Sequence, residues 1–217
     1  MKREIQTENG IYTYEEVKLY LGRKVLDPEI AKKNLLDFKK VMDKHGIRYG
    51  LMFGTLLGAV REGGFIVYDE DIDIFVLEED REKVLNALFD LEKLGLKVAR
   101  YNDDGHLLSV IRDGDYIDMY FFKKTFTKRR SEDCSIDARF LEHLDTIAFL
   151  GEQFPVPANP KQALNVLYGK DWHIPNKDGK PISYALDRKI KHYLIEKLPF
   201  LHKVYKVLLN KNSLRFR

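Results

Sequence analysis

The stretch "YDEDIDIFVL", residues 68–77, sets Asp69, Glu70, Asp71 and Asp73 at the head of a run otherwise written for a buried strand. A carboxylate among apolar neighbours is costly unless a cation compensates it, so a fold that buries this run must also accommodate its acids. Side chains alternate along a strand: Ile72, Ile74 and Val76 share one face, and Asp71, Asp73 and Phe75 share the other. Two carboxylates therefore project in parallel, close enough to hold one hard divalent ion, and such ions take oxygen ligands. An Asp-x-Asp pair alone is more often a solvated strand edge. The surrounding pattern decides between the two.

Upstream, "RYGLMFG" reads as a buried strand ending at Gly54, and "TLLGAVRE" as a short helix beginning at Thr55. Free N–H groups at a helix start suit an anion; Gly54 lets the backbone approach it and Thr55 adds a hydroxyl. Downstream, "YIDMYFF" isolates Asp118 in a third apolar strand. That acid either joins the pair as a ligand or takes a proton from an attacking hydroxyl. Strand, Gly-Thr, helix, Asp-Ile-Asp strand and a later strand with one Asp together favour a metal-phosphate site.

The rest of the chain supplies the frame. Asp27 as N-cap, Pro28 at the first helical position and Gly46 after the last turn bound a helix whose Ile30, Leu35, Phe38, Val41 and Met42 should face a core. "EEDREKVLNALFDLEKLG" is a second amphipathic helix closed by Gly95, followed by strands "LKVARY" and "LLSVIRD" and a turn at 113–115. "TIAFLGEQFPVP" reads as a hairpin turning at Gly151, and Asn159-Pro160 opens a helix ending at "YGKDW". From Ser183 onward the pattern is helical on either side of Pro199.

With 217 residues and 44% apolar content, the chain suffices for one catalytic-sized domain. Residues 181–217 hold nine Lys or Arg against Asp187 and Glu196, a local excess of seven that leaves the remainder four negative within the overall +3. The expected division is a catalytic domain at 1–180 and a basic amphipathic helical tail at 181–217. The tail either rests on an anionic bilayer or packs its apolar stripe on the domain. A single cysteine, Cys134, in a polar stretch without an activating partner, excludes a disulfide framework and a Cys-based zinc site. No apolar run nears the roughly 18 residues of a spanning helix, so a cytoplasmic protein is expected, with the inner membrane face as one option for the tail. His106 and His143 either reach the site or, as is commoner for such residues, are exposed or satisfied side chains.

"GTLLGAVREGGFIVYDEDIDI" resembles the LicD family, which includes bacterial phosphocholine transferases, is related to fukutin and fukutin-related protein, and belongs with the polymerase-beta-type nucleotidyltransferases. "FPVPANPKQALNVLYGKDWHIP" is similar to the family's later segment. The resemblance implies an α+β fold, a nucleotidyltransferase-like mixed β-sheet flanked by helices with a C-terminal helical extension. It implies Asp69, Asp71, Asp73 and Asp118 as metal ligands, with Asp71, Asp73 and Asp118 catalytic. Gly54, Thr55, Arg61, Tyr168 and Trp172 would contact substrate. Asp69 either anchors a second ion or orients Arg61, and Arg61 either grips donor phosphate or pairs with Glu62 or Glu70. Tyr168 and Trp172 either line a nucleotide or sugar pocket or pack as aromatics. The sequence departs from the family at Val67-Tyr68, where Pro-Trp is usual, and at Glu70, which replaces an Asp.

The implied activity is Mg²⁺-assisted transfer, with Mn²⁺ as a substitute, of a phosphorylated alcohol such as phosphocholine or a polyol phosphate. The donor is CDP-linked; the acceptor is a hydroxyl of a cell-surface glycan or its lipid-linked precursor, as in lipopolysaccharide, capsule or teichoic acid. Two other readings compete: a nucleotidyltransferase adding a nucleoside monophosphate to a small acceptor, and a non-enzymatic nucleic-acid-binding protein using the tail. The second has the acid cluster against it, which repels a phosphate backbone, and no nucleic acid partner is expected.

Overall fold

Asp27 starts the first long helix as its sequence dictates: Oδ1 accepts from the Glu29 and Ile30 N–H groups at 3.0 and 3.2 Å. A cap of this kind contributes about 1 kcal/mol. The helix, α1 (Pro28–Lys44), buries Ala31, Asn34, Leu35, Phe38, Val41 and Met42. Ile30, expected on the same face, is only half-buried, because the stripe runs through Ala31 and Asn34 instead. The computed structural model describes residues 2–19, 22, 24–102 and 104–176. The helices expected from Ser183 onward, and with them the basic tail, lie outside these.

Before α1 stands a hairpin, β1 (Lys2–Thr7) and β2 (Gly10–Glu15), which the reading of the sequence did not anticipate. Its signal is present in the Asn9-Gly10 pair, where the Glu8-Asn9 turn passes into β2 through Gly10 at φ +122°, and in the alternation of Tyr12 and Tyr14, both buried. Tyr12 meets Phe89 edge-on at 5.4 Å, which pins the hairpin to a later helix. After α1 come β3 (Tyr49–Leu51), α2 (Phe53–Arg61), β4 (Ile72–Leu77), α3 (Arg81–Lys93), β5 (Lys97–Tyr101), β6 (Leu107–Arg112) and β7 (Asp115–Thr125). Then follow β8 (Lys128–Ser131), β9 (Cys134–Asp137), the one-turn α4 (Arg139–Glu142), β10 (Leu144–Phe149), β11 (Glu152–Pro157) and α5 (Pro160–Tyr168).

The central sheet runs β3-β4-β7-β6-β5, with β8 and β9 continuing from the far end of β7. Only β4 and β7 are parallel; the other pairs are antiparallel, giving the mixed α+β architecture expected. β4 is buried along its whole length, as a central strand of a covered sheet must be. Helix α1 packs on β7 and α3, whereas α2 packs on β4 and α5, and the β10–β11 hairpin lies against β3. Cys134 sits buried in β9 rather than in an open polar stretch.

The register decides the chemistry. In the parallel pair Asp73 lies beside Asp118, and in the next pair Ser109 lies beside Asp118. Three strands thus deliver polar side chains to one point of an otherwise apolar sheet.

Candidate active site

The turn from β3 into α2 is the site's foundation. Phe53 opens α2 with φ +41°, a left-handed conformation that costs a bulky residue on the order of 1 kcal/mol or more. Burial of its ring and an edge-on contact with Tyr120 at 5.0 Å hold it there. Gly54 therefore falls inside the helix, not at the end of the preceding strand. Its N–H donates to Asp73 Oδ2 at 2.9 Å, and the Asp73 N–H donates to Thr55 Oγ1 at 2.9 Å. The Met52 N–H completes the grip on the Asp73 carbonyl at 3.0 Å. Thr55 is fully buried, so its hydroxyl braces Asp73 in this arrangement.

Gly54 is required by its neighbours. A Cβ there would stand 2.8 Å from Asp69 Oδ2 and 3.3 Å from Asp73 Oδ2, so both carboxylates crowd the space a side chain would fill. Asp69 Oδ1 accepts from the Glu70 N–H at 3.3 Å, whereas Asp69 Oδ2 is buried without a hydrogen-bond partner. Burial raises the Asp69 carboxyl to about 6. Asp71, just before β4, is pushed well above the usual range by burial and by Asp118, Asp69 and Glu70, against a hydrogen bond from Tyr116. Asp73 is likewise raised well above the usual range by burial and by Asp71, Asp69 and Asp118. Glu70 points elsewhere and accepts the Gly22 N–H at 2.6 Å.

Asp118 differs from the other three because it has a cation. Arg100 Nη2 donates to its Oδ2 at 2.9 Å, the Ser109 hydroxyl donates to its Oδ1, and Arg100 Nε donates to Ser109 Oγ at 3.1 Å. Burial still raises Asp118, with Arg100, Ser109 and Tyr120 working against it. Arg100, Ser109, Tyr116 and Tyr120 went unnoticed in the sequence. A signal was available for Arg100: an acid alone in an apolar strand needs a cation, and "LKVARY" offers one in the middle of another strand.

The structure thus gathers Gly54, Thr55, Asp69, Asp71, Asp73 and Asp118. Tyr168 joins them, its phenol pushed upward by burial and by Asp73 and Asp69. Arg61 and Trp172 form a separate contact. Arg61 stands seven residues beyond Gly54, about 10 Å along α2. Its Nε meets Glu62 at 2.7 Å and its Nη1 the Trp172 carbonyl at 3.3 Å. With its side chain 10% exposed, Arg61 ties the end of α2 to the segment after α5.

Among the described residues, no group of three or more His, Cys, Asp or Glu side chains is arranged to hold a metal ion. The donor chemistry nonetheless suits a hard cation. Among the described residues Asp69 Oδ2 lacks a partner and Asp71 and Asp73, which share its electrostatic surroundings, lack a cation, and the missing Cβ of Gly54 leaves room. Asp118 has both oxygens engaged already.

A strand-to-helix turn closing on paired aspartates, with a third aspartate on the adjacent parallel strand, defines a nucleotidyltransferase-like α+β domain. The family described as "LicD/FKTN/FKRP, nucleotidyltransferase domain" matches residues 46–159, more than half of the chain, and the chain belongs to that family. It is 38% identical over 87 residues to an uncharacterised protein of Rickettsia prowazekii, covering 39% of this chain and 32% of that one. It is 37% identical over 64 residues to the lipopolysaccharide cholinephosphotransferase LicD of Haemophilus influenzae, covering 29% of this chain and 24% of that protein. The chain therefore spans about a quarter to a third of the length of these curated relatives.

Among solved structures, the antibiotic-resistance factor ANT(2'')-Ia aligns at 16% identity over 86% of this chain and 98% of that one, with a TM-score of 0.48. The lincosamide antibiotic adenylyltransferase LnuA, bound to lincomycin, aligns at 15% identity over 72% of this chain and 93% of that one, with a TM-score of 0.46. Both are likenesses of general arrangement and carry no function across. No helix among the described residues is long and apolar enough to cross a membrane.

Proposed function

We propose that this chain is a LicD-like transferase that moves a phosphorylated alcohol from a CDP-activated donor to a hydroxyl of a cell-surface glycan or its lipid-linked precursor. The observation that carries the reading is the set Asp69, Asp71 and Asp73: Asp69 and Asp73 crowd Gly54, Asp71 adds its charge to theirs, and none of the three has a cation among the described residues. Acids left in that state are costly to fold, and a ligand that arrives with positive charge compensates them.

Asp69, Asp71 and Asp73 would hold Mg²⁺, or Mn²⁺ in its place. The bound ion would neutralise charge on the donor diphosphate. The acceptor oxygen forms a bond to the phosphorus that carries the alcohol, the bond from that phosphorus to the bridging oxygen breaks, and CMP leaves with the electron pair. The acceptor's proton goes to Asp118. Arg100 and Ser109 fix that carboxyl's orientation, and Arg100 favours its ionised, proton-accepting form. Tyr168, buried and within the electrostatic reach of Asp73 and Asp69, would bound the space for the donor.

Incubation with CDP-choline, with CDP-linked polyols and with CTP, each with Mg²⁺ and a glycan acceptor, separates the alternatives. Release of CMP from a CDP-linked donor supports the transferase. Release of pyrophosphate from CTP would make the chain a nucleotidyltransferase in the strict sense, and release of neither across the donor set would defeat the proposal.

A further inference from the structure

Strand β7 leaves the core at Phe122 and runs on into solvent, where it pairs with β8 in the register Lys123↔Arg130, Lys124↔Arg129 and Thr125↔Lys128. The two-residue turn between them is Phe126-Thr127. Phe126 is 93% exposed and adopts φ +53°. The ring adds nothing to the core, and the backbone conformation disfavours a bulky residue, so the fold itself gains nothing from a phenylalanine here.

The strands behind the tip are cationic. From Lys123 to Ser131 there is no acid, and Lys123, Lys124, Lys128 and Arg130 are exposed. Lys124 reaches Glu142 at 2.9 Å, whereas Lys123, Lys128 and Arg130 make no ion pair among the described residues. Arg129 turns inward to Glu79 and Glu142.

The occupant must therefore be anionic and must accept an apolar point. Residues 181–217 carry an excess of seven positive charges, so electrostatics disfavours their covering this tip. A nucleic acid strand would use a series of aromatic platforms, and the hairpin offers one ring at its end. An anionic bilayer meets both demands, with lipid phosphates for the cations and the headgroup-acyl boundary for the ring.

We propose that the β7–β8 hairpin is a membrane-docking tip: Phe126 enters the interface of an anionic bilayer while Lys123, Lys128 and Arg130 rest on its phosphates. Asp118 lies eight residues back along β7, roughly 26 Å from the tip at about 3.3 Å per residue. Docking would hold the acid cluster above the surface, at a height suited to a sugar hydroxyl carried on a lipid. That last point rests on the transferase reading; the docking itself does not.

The test is flotation of the full chain with vesicles of equal parts phosphatidylglycerol and phosphatidylcholine, and with phosphatidylcholine alone, at physiological ionic strength. The expected result is binding to the anionic vesicles only. Phe126→Ala should weaken it by about tenfold. The triple variant Lys123→Ala, Lys128→Ala, Arg130→Ala should weaken it by about a hundredfold, at roughly fivefold per charge. Because these side chains are exposed, both variants should melt with the parent, and CMP release with a soluble acceptor should not change. Failure of the full chain to bind anionic vesicles overturns the proposal, as does equal binding by parent and variants, which would move the contact to residues 181–217. Binding of single-stranded RNA with the same variant losses, in place of vesicles, would overturn it in favour of nucleic acid.

Discussion

Strand β4 has an acid cluster at each end, and the two ends have opposite electrostatics. At its C-terminal end, Glu78, Glu79 and Asp80 follow one another, as dense in charge as Asp69 to Asp73. Each has a cation: Arg81 grips Glu78 through two bonds of 2.8 and 2.6 Å, and Arg129 holds Glu79 at 2.7 Å. Arg48 and Lys83 hold Asp80 at 2.7 and 2.9 Å. Burial pushes Asp80 up, but hydrogen bonds from Arg48 and Lys83 outweigh it and hold the carboxyl at about 2. At the N-terminal end Asp69, Asp71 and Asp73 have no such partner among the described residues, and all rise. Acid density therefore does not mark a site; acids whose compensation is missing do.

Removing one acid from each end sharpens the contrast most. Asp73→Asn should lower turnover by roughly a thousandfold, near 4 kcal/mol, on the scale of losing one main electrostatic group from an active site. Its melting temperature should stay near the parent's or rise, because a mutual repulsion goes with it. Assay of CMP release alongside thermal melting checks both halves; a variant that keeps its turnover would remove Asp73 from the chemistry. Asp80→Ala should do the reverse. It strips Arg48 of bonds to its guanidinium and its backbone N–H, and should cost about 2 kcal/mol in urea unfolding with turnover per folded molecule unchanged.

The part of this contrast that could be read in advance was the local part. Asp27-Pro28 and Gly46 bounded α1, Gly151 turned the β10–β11 hairpin, and Asp-Ile-Asp at the head of an apolar run marked the acids, because each signal lies within a few residues of its effect. What escaped was set by pairing between distant strands. Arg100 reaches Asp118 only through the β5-β6-β7 register, and nothing in "LKVARY" names its partner. Glu79 and Glu142 likewise meet Arg129 from different elements. The β1–β2 hairpin was missed for another reason: Lys2, Glu4, Gln6, Thr13 and Glu15 make its outer face largely polar, Arg3 sits on the inner face, and two buried tyrosines form much of that inner face. Thr55 and Arg61 were found in the sequence for their chemistry, and the structure gives them bonding partners: the Asp73 N–H for the first, Glu62 and the Trp172 carbonyl for the second.

A smaller perturbation tests whether the space at the N-terminal end is meant for a ligand. Gly54→Ala would force a methyl to within 2.8 Å of Asp69 Oδ2, so the carboxylate must move. Overpacking of this kind costs about 1–3 kcal/mol. The informative readout is Mg²⁺ affinity by calorimetry, expected to fall by about tenfold or more on this reading. Unchanged affinity in a folded variant would place the cation elsewhere.

The smallest expected effect distinguishes the two ends by sign. Without divalent ions, Asp69 titrates at about 6 in the folded chain, against roughly 3.9 when unfolded. Between those values the native state holds the extra proton, so the contribution of Asp69 is present below about pH 4 and is lost as pH rises towards 6. Asp80, at about 2, behaves oppositely: its contribution is present above about pH 4 and is lost as pH falls towards 2. Urea midpoints measured from acid to neutral pH should therefore fall away on both sides of about pH 4 as far as these two groups are concerned. Magnesium isolates the N-terminal end, because a cation held by the acids of the folded chain stabilises that state in proportion to their deprotonation. The difference between curves with Mg²⁺ and with chelator should be near zero at about pH 4 and grow by about 1–2 kcal/mol by neutral pH. A difference that stays flat would mean that these acids rise in pKa without holding a cation, and the two ends of β4 would then differ only in which one found its arginines.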